Sequence, residues 1–382
     1  MRIGIFHGSA AGPNPGGKAV FVRKMASQLA ADHEVFLYTS RDDRTDGEVI
    51  LDDRVQVVEF PRFDSRIAHR LLRATPLGTD QVFGLVGAVR SGVVEHIDEH
   101  VDVLLTHRVF EDLALSNLVS VPVVYQYHNV QSVGIAAKAR ERFANADAHV
   151  VNSVTIKREV DQKLGRQVDG IVSPGVDTTA FTPEAPPAFR TDEDVILFVG
   201  RVVPGKGVFE LVRALERLGR DVRCVVAGHG DLDTVRSLAR ERGVSDSLSL
   251  PGAVPHDELP GYYAAATVFC NPTLYEGFGM VNLEAMACGT PVITSRLPGV
   301  CEYATHDENA LLVEPGDVDG LATALDSLLA DPARRERLAA AGLKAAQKHS
   351  WGVQADRLAE ICARVVAAQQ PPRREISAPQ SR

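Results

Sequence analysis

Short apolar runs alternate with longer segments of helical periodicity along this chain, and the alternation starts again near its middle. The first set predicts strands at residues 2–7, 34–39, 55–60, 101–106, 121–128 and 148–152. The second set predicts strands at residues 195–200, 222–227, 248–250, 268–271 and 292–294. Strands that alternate with helices build parallel sheets with helices on both faces. Because 382 residues exceed what one hydrophobic core usually serves, we predict two α/β domains, each with a doubly wound parallel sheet.

The segment between the two sets is rich in Pro, Thr and acidic residues and has neither periodicity, which is typical of a linker. After Asp331 the chain is alanine-rich and helical, with a break near His349, and its polar end is expected to be disordered. The predicted boundaries are 1–176 for the first domain, 177–194 for the linker, 195–350 for the second domain, 351–368 for a last helix and 369–382 for a disordered tail.

Charge and hydropathy narrow the class of protein. A net charge of −9 argues against a protein that coats nucleic acid, because neutralising phosphates needs a basic surface. No run reaches the ~18 to 20 apolar residues of a membrane span, and the first ten residues indicate a buried strand rather than a signal peptide. We therefore expect a cytoplasmic protein.

In open α/β sheets ligands bind beyond the carboxyl ends of the strands, so we expect ligand-binding residues in the loops that follow strands. The first such loop, Gly8 to Gly17, is glycine-rich and leads into a helix near Lys18. Exposed amides at a helix N-terminus suit phosphate or sugar oxygens, although such a loop is often only a turn. It is not Gly-x-Gly-x-x-Gly, which disfavours a dinucleotide dehydrogenase.

Two cations follow the first strand of the second domain, in VILFVGRVVPGKG. Arg201 ends the strand, and Lys206 lies five residues later in a turn that contains glycine. Two cations on one loop suit a diphosphate, whose negative charge grows as a glycosidic bond breaks. The alternative is a solvated Arg and Lys beside a turn.

Two carboxylates flank a Gly-Phe-Gly turn in NPTLYEGFGMVNLEAMACGTPVI. Glu276 precedes the following helix, and Glu284 lies about one turn inside it. An ionised carboxylate can accept two hydrogen bonds from a vicinal diol, the geometry of a ribose or of adjacent sugar hydroxyls. The helix start at Gly279, Met280 and Val281 offers backbone amides between the two carboxylates.

These segments resemble a known family. EGFGMVNLEAMACGTP, residues 276–291, resembles the signature of family-four retaining glycosyltransferases and contains their Glu-x7-Glu motif. GRVVPGKG resembles their diphosphate-binding Arg and Lys, GPNPGGKAVFV resembles their N-terminal Gly-Gly loop, and HSW at 349–351 resembles the point where their chain crosses back. The resemblance implies the GT-B fold: two facing Rossmann-like domains with parallel sheets, and a C-terminal helix that crosses back to the N-terminal domain.

The resemblance also implies roles for individual residues. Glu276 would contact the transferred sugar, Glu284 the ribose, and Arg201 with Lys206 the diphosphate. The other residues placed in the donor site are Gly16, Gly17, Phe278, Gly279, Met280 and Val281.

A histidine from the first domain joins this set by resemblance. His128 closes the strand VVYQYH and matches a family histidine near the sugar, so we place it with the catalytic residues. The family commonly has Asp next, whereas Asn129 stands here, which favours a polar contact with the sugar over a base role. A buried histidine that is merely satisfied is the alternative.

Family membership would make the chain a retaining, hexosyltransferase-type glycosyltransferase (EC 2.4), with a nucleoside-diphosphate sugar as co-substrate and no cofactor or essential metal. Asp192 to Asp194 and Asp231 to Asp233 are not taken as metal sites, because the first lies in the linker and the second caps a helix. A nucleotide-sugar epimerase, a phosphorylase and a non-catalytic scaffold remain alternatives. The presence of both cations and both glutamates argues against the scaffold.

The acceptor is assigned to the first domain, where FPRFDSRIAHRLLRATPLG at 60–78 is basic and amphipathic in an otherwise acidic chain. Such a segment can lie on anionic lipid, at the inner face of the membrane, or can be an ordinary surface helix or loop. The expected partners are a nucleotide-sugar donor and a carbohydrate or lipid-linked acceptor, with no nucleic acid.

Overall fold

The computed structural model describes residues 1–8, 10, 17–41, 52–61, 79–107, 109–128 and 145–369. The chain divides into two compact units by its internal contacts. The first comprises residues 1–152, 156–172 and the chain from Ala355 onward, and the second comprises residues 153–155 and 173–354. The segment 177–194, predicted as a linker, contains no helix or strand and belongs to the second unit.

In the described part of the first unit, the strands form one parallel seven-stranded sheet in the order β3-β2-β1-β4-β5-β6-β7. The strands are β1 (Arg2–Phe6), β2 (Glu34–Arg41), β3 (Val55–Pro61), β4 (Val103–Thr106), β5 (Val123–Tyr127), β6 (Ala148–Val151) and β7 (Gly170–Ile171). The helices along this part of the chain are α1 (Gly17–Leu29), α2 (Thr79–Arg90), α3 (Val93–His100), α4 (Val109–Leu118) and α5 (Val154–Leu164).

The second unit contains a parallel six-stranded sheet in the order β10-β9-β8-β11-β12-β13. The strands are β8 (Val195–Val199), β9 (Arg223–Ala227), β10 (Leu248–Gly252), β11 (Val268–Asn271), β12 (Val292–Ser295) and β13 (Leu311–Val313). The helices are α6 (Val208–Leu215), α7 (Leu232–Glu241), α8 (Leu259–Ala265), α9 (Met280–Ala287), α10 (Val318–Ala330), α11 (Pro332–Lys348) and the start of α12 (Trp351–Gln369).

The central strand β8, VILFV, explains why the second sheet is covered on both faces. All five of its residues are buried. Ile196 and Phe198 pack in one core cluster with Val212 of α6, whereas Leu197 packs in another with Met286 of α9. Because successive side chains of a strand point to opposite faces, a continuous apolar run must find helices on both sides.

The end of the chain is helical, as expected, and the break falls where it was predicted, between α11 and α12. From Ala355 onward α12 belongs to the first unit. There, a Cβ placed on Gly170 of β7 would lie 2.4 Å from Cδ1 of Ile361. A glycine therefore allows α12 to lie close to the edge of that sheet.

The eleven strands predicted from the apolar runs are all present, and the expected fold class, two Rossmann-like parallel-sheet domains, is confirmed. Two short strands were missed. β7 has two residues and begins with glycine, and β13 has three, so neither gives an apolar run long enough to recognise. In each sheet the strand order reverses once, between β1 and β4 and between β8 and β11, which is where open α/β sheets bind ligands.

Candidate functional site

The loops after β8 and β11 lie against each other in the second unit. Leu274 donates its backbone N–H to the carbonyl of Gly205 at 3.0 Å, and the Thr273 hydroxyl donates to the same carbonyl at 3.1 Å. Gly207 has φ +74°, and a Cβ at this position would lie 1.9 Å from the carbonyl oxygen of Pro272. Only glycine combines that backbone conformation with that approach, so Gly207 is what allows the two loops to touch.

This contact brings Lys206 and Glu276 together. Lys206 ends the short 3-10 turn Pro204–Lys206, and its Nζ lies 2.6 Å from Oε2 of Glu276. The two side chains are 23% and 18% exposed, so water and salt weaken their attraction less than they weaken that of a surface ion pair. The other oxygen of Glu276, Oε1, accepts the backbone N–H of Gly277 at 3.2 Å.

A buried polar network fixes the turn that follows Glu276. Asn282 is fully buried, and its Nδ2 donates to the Tyr303 hydroxyl at 2.8 Å and to Oγ1 of Thr294 at 3.1 Å. The Tyr303 hydroxyl donates in turn to the carbonyl of Phe278 at 2.9 Å. Burial raises the pKa of Tyr303, so its hydroxyl stays protonated and remains a donor. The network holds the backbone that leads into α9.

The start of α9 offers the backbone amides predicted for the donor site. Gly279, with φ +84°, precedes the helix, and Met280 and Val281 form its first turn. The first N–H groups of a helix have no acceptor within the helix, which suits a phosphate or sugar oxygen. The ring of Phe278 is 6% exposed and packs 5.2 Å from that of Tyr303, so its side chain belongs to the core and only its backbone faces the turn.

Glu284 is buried within α9. Its Oε2 accepts the Tyr263 hydroxyl at 2.9 Å, and its Oε1 lies 3.4 Å from Nε2 of His256. Burial, together with the negative charge of Glu284, holds the pKa of Tyr263 well above its usual range. Neither Tyr263 nor His256 was predicted as a site residue. Tyr263 lies in the apolar sequence LPGYYAA, where a tyrosine gives no signal of such a contact.

Arg201 lies at the start of the loop after β8, and it is exposed. Within the described ranges its side chain makes no hydrogen bond or ion pair.

Val202, the residue after Arg201, forms a bridge with Gly230, where a Cβ would lie 2.2 Å from the Val202 carbonyl oxygen. The next residue, Asp231, accepts the N–H of Thr234 at 3.0 Å and caps α7, which confirms the interpretation of that acidic pair as a cap.

His128 follows β5 in the first unit and contacts a second histidine. Its Nε2 lies 3.1 Å from Nδ1 of His107, and the edge of Phe21 faces both rings at centroid distances of 5.0 and 6.1 Å. Burial, and after it the positive charge of Lys18, lower the pKa of His128 to about 3. The imidazole is therefore neutral near pH 7, and a hydrogen bond to a sugar fits it better than the role of a charged acid.

Two histidines of this neighbourhood were missed from the sequence. His7 and His107 are each 1% exposed and follow β1 and β4, which pair with each other, and β4 also pairs with β5. Their rings lie 6.3 Å apart. A histidine at the end of three separate strands, in GIFH, LLTH and YQYH, is a signal that could have found them.

Some predictions fall on parts of the chain that the structure does not describe. Gly16 and most of the glycine-rich loop lie outside the described residues, whereas Gly17 is the first residue of α1. Residues 62–78 of the basic amphipathic stretch, Asn129 and the tail from residue 370 also lie outside them. In the described ranges, every helix is too short or too polar to cross a bilayer.

Comparison with known families gives two matches that together extend over most of the chain. The family model described as Glycosyltransferase Family 4 matches residues 15–180, and the model described as Glycosyl transferases group 1 matches residues 183–345. The boundary between the two models falls close to the point where the strand pattern starts again.

Three curated relatives illustrate the similarity. A D-inositol 3-phosphate glycosyltransferase of Kineococcus radiotolerans is 30% identical over 406 residues, which cover 92% of this chain and 91% of that protein. A D-inositol 3-phosphate glycosyltransferase of Xylanimonas cellulosilytica is 34% identical over 276 residues, 64% of this chain and 66% of the relative. A GDP-mannose-dependent alpha-(1-6)-phosphatidylinositol monomannoside mannosyltransferase of Mycolicibacterium smegmatis is 35% identical over 207 residues, 49% of this chain and 54% of the relative.

Solved structures share the fold. Sucrose-phosphate synthase from Thermosynechococcus elongatus has a TM-score of 0.76 at 23% identity and covers 97% of this chain and 100% of its own. Anabaena HepE in complex with UDP has a TM-score of 0.73 at 18% identity, with 95% and 100% covered. The two Rossmann-like sheets and these neighbours show the GT-B fold, and the matched family models make the chain a glycosyltransferase. More particularly, the chain belongs to the family-four glycosyltransferases.

Proposed function

We propose that this protein transfers a sugar from a nucleoside-diphosphate donor to an acceptor hydroxyl, with retention of anomeric configuration and without an essential metal ion. The observation that carries the proposal is the contact between Lys206 and Glu276, at the carboxyl ends of the two central strands β8 and β11. A cation and a carboxylate held together at a strand switch point can bind the charged and the hydroxylated halves of one donor.

Lys206 and Arg201 are assigned to the diphosphate. When the bond between the sugar and the diphosphate breaks, negative charge grows on the leaving phosphate oxygen, and fixed positive groups stabilise it in the transition state. Lys206 forms an ion pair with Glu276, whereas Arg201 is exposed at the start of the same loop. The amides of Met280 and Val281 add the partial positive charge of a helix start. These groups supply the role that a divalent cation has in other transferases.

The remaining assignments concern hydroxyl groups. Glu276 would accept hydrogen bonds from the transferred sugar, and Glu284 from the ribose. His128, as a neutral imidazole, would contact the sugar from the first unit. Gly16 and Gly17 keep their assignment to the donor site as a proposal that rests on the family resemblance.

Retention requires that the new bond form on the face from which the diphosphate leaves. We assign no nucleophilic carboxylate, which favours a front-face route. The acceptor oxygen bonds to the anomeric carbon as the bond from that carbon to the phosphate oxygen breaks. The acceptor proton passes to the same phosphate oxygen, and the nucleoside diphosphate departs. Proton NMR of a freshly formed product, which reports the anomeric configuration, tests this step, and inversion would contradict it.

The relatives suggest which substrates to try first. One relative is GDP-mannose-dependent by name, and its name also contains phosphatidylinositol monomannoside, while two others are named for D-inositol 3-phosphate. A guanosine-diphosphate sugar and an inositol-containing or lipid-linked acceptor are therefore the leading candidates here. Lipid contact through residues 60–78 remains a proposal from their basic amphipathic sequence. Co-sedimentation with anionic vesicles at low and high salt tests it, and equal recovery with neutral vesicles would contradict it.

A thermal-shift panel tests the donor assignment. Uridine, guanosine, adenosine and thymidine diphosphates and their sugars are added to the parent protein, because a specific ligand at 100 times its Kd stabilises the folded state by about 2.7 kcal/mol. We expect one base to raise Tm, and the shift to be lost in Lys206→Ala. Lys344→Ala, an exposed lysine on α11, is the matched control. No shift with any compound, or an undiminished shift in Lys206→Ala, would contradict the proposed function.

A further inference from the structure

The two carboxylate oxygens of Glu284 have different environments. Oε2 accepts a hydrogen bond from the Tyr263 hydroxyl at 2.9 Å, within the usual range for such bonds. Oε1 lies 3.4 Å from Nε2 of His256, which is longer than a well-formed N–H···O bond. The side chain of Glu284 is 9% exposed, so only a small part of it is open to a ligand.

Tyr263 is held so that its hydroxyl stays on Oε2. The residue is 0% exposed, and its ring packs in T-shaped contacts with those of Phe181 and Phe269, at centroid distances of 5.9 and 5.3 Å. Its carbonyl accepts the Thr290 hydroxyl at 2.8 Å, which links the end of α8 to the turn between α9 and β12. A phenol that is packed on all sides and stays protonated is a permanent donor to the carboxylate.

The partner of Oε1 is far more exposed than the partner of Oε2. The side chain of His256 is 66% exposed, and its ring lies edge-on to Phe181 at 5.2 Å. An exposed imidazole at 3.4 Å holds its carboxylate oxygen less closely than a buried phenol at 2.9 Å does. The oxygen that is open to an incoming group is therefore Oε1.

We propose that Tyr263 is a positioning residue for nucleotide recognition: it occupies Oε2 of Glu284 and directs Oε1 to the ligand, so that Glu284 binds one ribose hydroxyl rather than two. The inference rests on the proposed function, in which Glu284 faces the ribose. It replaces the expectation that this carboxylate spans a vicinal diol with both oxygens. His256 lies beside the position that the hydroxyl reaches.

Deoxyribonucleotides distinguish the two modes of binding in the parent protein. The Kd of the best nucleoside diphosphate is measured by titration calorimetry and compared with those of its 2′-deoxy and 3′-deoxy forms. Loss of a hydroxyl that bonds to a charged acceptor weakens binding by roughly 10-fold or more, whereas loss of a solvated hydroxyl changes it by less than about 3-fold. We expect one deoxy form to bind much more weakly and the other to bind nearly as well. Comparable losses for both forms would overturn the inference.

The variant Tyr263→Phe keeps the buried ring and removes the donor. With Oε2 no longer occupied, Glu284 can rotate, so we expect the ribonucleotide to bind roughly 10-fold more weakly, the effect of about one charge-assisted hydrogen bond. We also expect the ratio between the two deoxy forms to shrink, because either oxygen can then be used. A merely structural defect would weaken all three nucleotides by the same factor and leave that ratio unchanged, which would contradict the positioning role.

Tyr262→Phe is the matched control, since Tyr262 precedes Tyr263 on α8 and packs beside Phe189 instead. We expect it to retain both the affinity and the ratio of the parent protein. If Tyr263→Phe does not fold, the comparison of deoxy forms in the parent protein still decides between one hydroxyl and two. Failure of every nucleoside diphosphate to bind the parent protein would contradict the proposed function itself, an outcome distinct from binding without discrimination.

Discussion

Lys206 and Glu276 form an ion pair across two strand-end loops, with their charged atoms 2.6 Å apart although 70 positions separate them in the sequence. Each is partly buried, so each depends on the other for a partner more than a surface residue would. The pair joins the predicted diphosphate loop to the predicted sugar loop. Its energetic and catalytic consequences can be measured.

A double-mutant cycle on this pair is the first prediction. We expect Lys206→Ala to lower kcat by about 100- to 1000-fold, the effect of removing one preorganised charge stabiliser. Glu276→Gln is expected to lower kcat as well, because the sugar hydroxyls lose a charged acceptor. Since the two side chains are in contact, the double variant should lose less than the sum, with a coupling of about 0.5–3 kcal/mol.

Kinetics with the matched controls Lys344→Ala and Glu308→Gln, both exposed, check this cycle. The controls are expected to keep the parental kcat. Strict additivity at the Lys206–Glu276 pair would show that the contact does not operate during catalysis.

Gly207→Ala should disrupt the contact between the two loops. Its φ of +74° is unfavourable for alanine, and the new Cβ would lie 1.9 Å from the Pro272 carbonyl oxygen. We expect a loss of about 1–3 kcal/mol in the free energy of unfolding, measured in urea, together with reduced turnover. Gly205→Ala is the control from the same turn, because nothing lies within 4 Å of its added Cβ. Equal stability of the two variants would argue against the close approach.

Tyr303→Phe tests the buried network behind the donor turn. The substitution removes the donor to the Phe278 carbonyl and leaves Asn282 without one acceptor. We expect the free energy of unfolding to fall by about 1–3 kcal/mol, because a buried polar group then lacks its partner. The comparison is Tyr275→Phe, since Tyr275 is 82% exposed and should change stability by less than about 0.5 kcal/mol. A Tyr303→Phe protein as stable as Tyr275→Phe would remove the structural role of this hydroxyl.

His128 predicts a pH dependence of stability. Its pKa in the folded protein is lowered to about 3, whereas an unfolded chain has a histidine pKa of about 6.5. Between these values the unfolded state binds a proton that the folded state does not, so the free energy of unfolding falls as pH is lowered from about 6.5 towards 3. Unfolding in urea from pH 7 to pH 4, for the parent and His128→Asn, isolates this contribution as their difference.

As pH is lowered, the free energy of unfolding of the parent protein should fall relative to that of His128→Asn. Lys18→Met removes the nearby positive charge and is expected to raise the pKa of His128, which NMR titration of the imidazole reports directly. A titration midpoint near 6.5 in the parent protein would contradict the desolvation of His128.

The amino-acid sequence by itself determined the two doubly wound sheets and the main candidate residues. A strand can be predicted from a continuous apolar run such as VILFV alone, because a strand buried on both faces needs apolar side chains at every position. The loop residues followed from the same logic, since the chain must leave each strand at its carboxyl end. Arg201, Lys206 and Glu276 could be named for that reason, whereas Glu284, which lies inside α9, was named from its spacing to Glu276 and the Glu-x7-Glu resemblance.

The partners of these residues were decided only by the tertiary structure. Lys206 meets Glu276 because β8 and β11 are neighbours, an order that packing of the whole sheet sets. In the same way Tyr263 reaches Glu284 from another helix, and His107 meets His128 because β4 lies next to β5. Periodicity is a local property of the sequence. The contacts that orient these side chains join segments that are distant in sequence, so they form only when the sheet has formed.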